Sequence, residues 1–268
     1  MKPTIIVLSA FTALAACGGS GTPTTEQPRT ADAFDADVTN TSVPSTITVD
    51  YSQATDQFTF AADGSALNGL VRTESHDNGM VLGFKDAAGD QFGFAHRSDT
   101  GLATAVGADG NGFNYRGATI ERFGEAEVPR SGAATFTGDY AGFGGNQTPE
   151  GSVTDVQYLV NGDVTLSADF ADNTVNGSIT NRTVRTENTN NDLGTDVEDI
   201  TLNSTTLDGN IRFTGVATGG GIDGGTTSNG SFTGSINGEA EEAIGILTID
   251  QDHNGLNNFE WGIFVLTD

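Results

Sequence analysis

Residues 162–180 read "GDVTLSADFADNTVNGSIT", and this stretch decides the fold. Val164, Leu166, Ala168 and Phe170 alternate with Asp163, Thr165, Ser167 and Asp169, the period of a strand with one buried face. "ADN" is a short polar turn, after which Val175, Gly177 and Ile179 resume the alternation. The pattern is a β-hairpin, and it recurs. "DITLNSTTL" (199–207) and "NIRFTGVAT" (210–218) flank Asp208-Gly209, a strong hairpin signal. "NGSFTGSIN" (229–237) leads through "GEA" to "EEAIGILTI" (241–249), and "FEWGIFVL" (259–266) closes the chain. "AATFTGDY" (133–140) opens the series, and "GFGGNQTPEGSVTDVQYLV" (142–160) reads as a longer connection.

Counted this way, residues 129–268 hold about eight strands, a number that closes into an antiparallel up-and-down barrel filled by its own side chains. Ile211, Phe213 and Gly215 share one face, as do Phe232, Gly234 and Ile236. A sandwich is the alternative, but it needs long crossovers where this chain has hairpins. A membrane-spanning barrel needs an outer apolar band and aromatic girdles. Here the alternate face is Thr, Ser, Asp and Asn, and the chain has 1 Trp and 4 Tyr.

Residues 46–128 read as a small β-rich domain. Its candidate strands are "ITVDY", "QFTFA", "LNGLVRT", "MVLGFK", "QFGFAHR" and "FNYRGATIE", separated by turn signals such as "SHDNG" and "GADGNG". Phe92 and Phe94 fall on one face. "VPRSG" (128–132) marks the boundary with the barrel. The fold class is therefore all-β, a barrel preceded by a smaller β domain.

The N-terminus carries an address. Lys2 is followed by an apolar run, Ile5 to Ala16, too short for a membrane span of roughly 20 residues but suited to a secretory signal. Leu14-Ala15-Ala16-Cys17 is similar to a bacterial lipobox, and Cys17 is the chain's only cysteine. The resemblance makes 1–16 a signal peptide and Cys17 the lipidated first residue of the mature protein. Several acyl chains on one residue anchor far better than one. Gly18 follows where inner-membrane retention would call for Asp, which favours the outer membrane; whether the protein faces the periplasm or the cell exterior is open. Residues 17–45 read as a flexible tether with a reach on the order of 25–30 Å.

Composition excludes whole classes of function. Asp and Glu total 36 against 11 Lys and Arg, a net charge of −25, so nucleic acid and anionic membrane surfaces are disfavoured partners. There is no G-x-S-x-G, H-E-x-x-H, P-loop or zinc-spaced Cys/His set, and the chain reads as a non-enzyme without a cofactor. His76, His96 and His253 read as solvated surface residues, and Glu241 and Glu242 as carboxylates expected in so acidic a chain. "DQDHNGLNNFE" begins like an EF-hand loop, but its twelfth position is Trp261 and its flanks are strands. It reads as a polar loop joining the last two strands. Asp250, Asp252 and Asn254 are at most a weak candidate for a calcium site of another kind.

The hairpin series resembles the barrel domain of the transferrin-binding protein B and factor H-binding protein family of surface lipoproteins. Asp169, Phe170, Val175, Gly177 and Ile179 carry one part of the match. Gly230, Phe232, Gly234, Ile236, Gly238, Glu242 and Gly245 carry the other. It covers roughly 131–268. By itself it implies a handle-like role for residues 46–128 and an outer-membrane lipoprotein, at the cell surface, binding a protein or an iron- or haem-bearing ligand. A TonB-dependent receptor is then a further partner. The competing expectation is a structural or interaction lipoprotein of the envelope, facing the periplasm, without small-molecule cargo.

Overall fold

The computed structural model describes residues 47–52, 57–62, 65–66, 70–89, 91–108, 115–123, 129, 131–147, 153–186, 191–194, 197–222, 224–238, 240–253 and 256–268. Cys17, the tether and Asn254 lie outside them. Among the described residues there is no α-helix, hence no helix long and apolar enough to cross a membrane.

The chain opens with a three-stranded sheet of β1 (Ile47–Ser52), β2 (Gln57–Ala62) and β3 (Ser65–Ala66). A five-stranded antiparallel sheet follows: β4 (Val71–Arg72), β5 (Leu82–Lys85), β6 (Gln91–Arg97), β7 (Gly101–Ala108) and β8 (Tyr115–Arg122), with a 3-10 turn at Glu74–His76. The barrel is β9 (Ala133–Gln147), β10 (Val153–Asp169), β11 (Thr174–Thr186), β12 (Ile200–Thr206), β13 (Arg212–Gly219), β14 (Thr226–Asn237), β15 (Glu242–His253) and β16 (Leu256–Thr267). Each of these strands pairs antiparallel with the next, and β16 returns to β9 to close the wall. The up-and-down topology read from the hairpins is the one observed.

Alternation places the barrel core. Val164, Leu166, Ala168, Phe170, Ile211, Phe213, Phe232 and Ile236 all point inward, with Phe136, Tyr140, Leu247 and Phe264. Each fully buried Leu, Ile or Phe contributes about 1.5–3 kcal/mol. Gly234 and Gly245 are needed for space, because a Cβ there would run into the rings of Phe213 and Phe264.

Apart from the exposed edge strand β4, the five-stranded sheet buries residues on both faces. One face, with Phe92, Phe94, Ala103, Ala105 and Ile120, covers the outer surface of the barrel at Phe143, Leu159, Ile244, Trp261 and Ile263. The other carries Phe84, Leu102 and Val106 and is capped by Phe58 and Phe60 of β2. Phe84 meets those two rings edge-on, at 5.5 and 5.4 Å between centroids.

Three expectations change. β7, "GLATAVGA", is not among the candidate strands, because it lacks large alternating side chains. It is a central strand, and its small residues let the layers meet: a Cβ on Gly107 would lie 2.5 Å from the Phe143 ring. The longer connection at 142–160 is mostly strand, since β9 continues to Gln147 and β10 starts at Val153; adjacent glycines and register shifts hide its alternation. "DQDHNGLNNFE" is not a loop either. Asp250 pairs with Phe259, Gln251 with Asn258 and Asp252 with Asn257, which carries the last hairpin almost to its tip.

Candidate functional site

The two ends of the barrel differ in kind. At one end the chain reverses in tight, self-capped turns. Asp169 Oδ1 accepts from the amides of Ala171 and Asp172 at 2.9 and 3.1 Å, and Asp208 Oδ1 accepts from Asn210 and Arg212 at 2.8 and 2.9 Å. Asn173 and Ala240 complete two of these turns in the left-handed region, at φ 52° and 68°. Such turns spend their polar groups on themselves.

At the other end Gln147, Thr186 and Gly219 lead into connections of 5, 13 and 6 residues, whereas β15 turns into β16 across 2 residues. The chain after β11 folds back on it, Leu193 N donating to Val184 O at 2.9 Å, and then bridges Val197 to Ile222. Leu193 and Leu256 stand out in water here, 48% and 60% exposed. The exposed carboxylates Asp192, Glu198, Asp199 and Asp252 share the same end. Leu193 and Leu256 belong to different hairpins, each a single exposed apolar side chain at an end that also carries exposed carboxylates.

Beneath this end the barrel interior is polar. Arg182 and Glu260 are both fully buried and form an ion pair. Tyr140 Oη donates to Glu260 Oε1 at 2.9 Å, Arg182 Nη1 to the carbonyl of Glu198, and Tyr158 Oη to the carbonyl of Phe259 at 3.2 Å. Burial, then the charge of Glu260, pushes both tyrosine hydroxyls well above their ordinary value. Arg182 reaches inward because of a β-bulge: Asn181 and Arg182 together oppose Gly162, with Asn181 at φ 50°. Asn181 Nδ2 is tied to Asp163 Oδ2 at 2.7 Å. The cluster links β9, β11 and β16 across the interior, with the buried Arg182 Nε left without a hydrogen-bond partner among the described residues.

Polar contacts also join the sheet to the barrel. Arg116 of β8 is buried with its guanidinium 4.5 Å from the Phe259 ring centroid and 4.7 Å from that of Trp261. Burial lowers its pKa to about 10, against the opposing pull of Asp250 3.9 Å away. At the turn end, Glu242 of β15 accepts from His96, Ser98, Thr100 and Asn237. Burial alone would raise its carboxyl, but these hydrogen bonds bring it down to about 2. A depressed carboxylate stabilises the fold above its unfolded value of 4.5, and the contribution is lost as pH falls toward 2. Acid unfolding followed by Trp261 fluorescence should therefore steepen between those values, and Glu242→Gln should flatten that limb.

The expectations for single residues fare unevenly. His76 is buried rather than solvated, at 4% exposure, and burial followed by the charge of Lys85 lowers its pKa. His96 is not solvated either, for it links Met80 to Glu242. His253 closes β15 opposite Leu256. Glu241 is exposed, whereas Glu242 is the junction residue just described. Asp250 and Asp252 lie on the outer face of β15, where Asp250 Oδ1 accepts from Gln147 Nε2 at 3.0 Å. Among the described residues no three His, Cys, Asp or Glu gather as a metal-binding set.

No protein-family model matches the chain, and no curated protein matches it. Solved structures do match. HpuA from Kingella denitrificans, in complex with human haemoglobin, is 13% identical at a TM-score of 0.37, over 82% of this chain and 83% of that one. Intact Ap-TbpB with its N and C lobes is 12% identical at a TM-score of 0.40, over 80% of this chain. Transferrin binding protein B from serogroup B Neisseria meningitidis is 14% identical at a TM-score of 0.41, over 78% of this chain. The chain spans only 44% and 39% of those two transferrin-binding proteins. Two of these three are transferrin-binding proteins, the family whose barrel the hairpin motifs of residues 131–268 resemble.

Proposed function

We propose that this protein is a non-enzymatic lipoprotein of the outer membrane, moored through Cys17, whose barrel presents a binding end to a protein or an iron- or haem-bearing ligand. The observation that carries the reading is the contrast between the barrel's ends. One is closed by self-capped turns, while the other carries the exposed Leu193 and Leu256 along with exposed carboxylates, above the buried Arg182–Glu260 pair. The carboxylates suit a partner with a basic surface, and each leucine supplies an apolar anchor. The lipobox-like segment and the hairpin series support the address and the binding role. In this reading residues 17–45 hold the folded part clear of the membrane, and residues 46–128 brace the barrel.

Pull-down with residues 18–268, lacking the acyl chains, identifies the partner. With that partner in hand, Leu193→Asp and Leu256→Asp should each weaken binding about tenfold or more while leaving unfolding unchanged. Unchanged affinity in both variants would move the site elsewhere. Recovery of envelope subunits alone, with protection from protease on intact cells, would instead establish the periplasmic interaction role.

A further inference from the structure

His96 sits between two groups that can only accept. Its Nδ1 lies 3.0 Å from the carbonyl oxygen of Met80, and its Nε2 lies 3.0 Å from Glu242 Oε1. A neutral imidazole has one N–H and satisfies one of these contacts; only the imidazolium donates to both. The two side chains are nearly buried, 12% and 8% exposed, so water is a poor substitute partner.

The contact joins separate layers. His96 lies on β6 of the five-stranded sheet and Glu242 on β15 of the barrel. Glu242 Oε2 is already held by Ser98 at 2.9 Å, Thr100 at 2.6 Å and Asn237 at 3.2 Å, which keeps the carboxylate charged and fixed toward His96. Other charged groups around the contact are Asp139 of β9, which accepts from Met80 N at 3.0 Å, and Asp99 and Glu241 in the adjoining turns. All three are acidic. Arg97 is next along the strand, and its guanidinium stands 5.5 Å over the Phe123 ring.

We propose that His96 and Glu242 form a proton-dependent clasp between sheet and barrel: His96 carries both ring protons when the clasp is shut, and loss of one loosens the junction as pH rises. A proton is thus a third component of this interface. The depressed carboxyl of Glu242 leaves the clasp intact in moderate acid, so it fails mainly on the alkaline side.

The test uses the full chain with 15N-labelled histidine. Ring-nitrogen shifts should show both His96 nitrogens protonated in mild acid and one deprotonated at high pH. In step with that change, hydrogen exchange at the Met80 amide, which bonds Asp139 across the junction, should rise about tenfold after correction for intrinsic base catalysis. That is the loss of one charge-assisted hydrogen bond. His96→Gln, which keeps a donor toward Glu242 but cannot titrate, should make Met80 protection independent of pH. Neutral-tautomer shifts for His96 throughout, or a wild-type Met80 protection that ignores its titration, would overturn the clasp. His76 is buried separately and is followed by its own ring signals.

Discussion

Glu260→Ala should lower the unfolding free energy by about 3–5 kcal/mol, as expected when one partner of a fully buried ion pair is removed. The loss is large because Arg182 is itself fully buried and would keep its charge without a counterion. Tyr140 would also lose the acceptor of its hydroxyl. Urea unfolding read through Trp261 measures the change. The double variant Arg182→Met/Glu260→Leu should regain most of the loss, because neither charge is then stranded. If the single variant is as stable as wild type, water must reach Arg182 and the wall beneath the rim is not sealed.

Phe143→Ala should cost about 3–5 kcal/mol, but through a different failure. Phe143 lies on the outer face of the barrel, fully buried beneath β7, with its ring edge-on to Phe259 at 6.2 Å. Gly107 lies so close to the ring that the cavity would open directly between sheet and barrel. Calorimetry should show the single transition broadening or splitting as the sheet lets go before the barrel melts. A sharp single transition at lower temperature would mean that the two layers unfold together even with a hole between them.

The barrel was legible in the sequence because a period of two leaves a plain trace wherever one face is filled with Phe, Ile and Val and the other with Thr, Ser and Asn. The trace fades where a strand is covered on both sides. β7 is buried from Gly101 to Gly107, with Leu102 and Val106 on one side and Gly and Ala on the other, so no polar face alternates with an apolar one. The upper half of β9 is obscured in the same way by Gly142, Gly144 and Gly145, the first two of which abut a side chain or carbonyl of a neighbouring strand.

The polar sites were harder to foresee. Glu260 was a visible oddity, a carboxylate at an inward position of the apolar strand "FEWGIFVL". Its partner was not, because Arg182 turns inward only through a bulge that alternation alone does not announce. His96 and Glu242 stand 146 positions apart in sequence. Their meeting depends on how the sheet docks, which no local pattern encodes. The exposed Leu193 and Leu256 carry no signal in sequence for the opposite reason, since each looks like an ordinary strand or loop residue until its solvent exposure is known.

The bulge at Asn181 has a consequence for how this wall can vary. A strand has in effect a reading frame of two, and gaining or losing one residue anywhere along a regular strand would exchange its inner and outer sets from that point on. At Asn181 the extra residue is looped into the left-handed region, and Arg182 and Val184 keep facing in. Chain length can therefore change by one at this step without turning the barrel inside out. Among relatives of this protein, single-residue length differences within β11 should collect here, above Ile179 and below the rim.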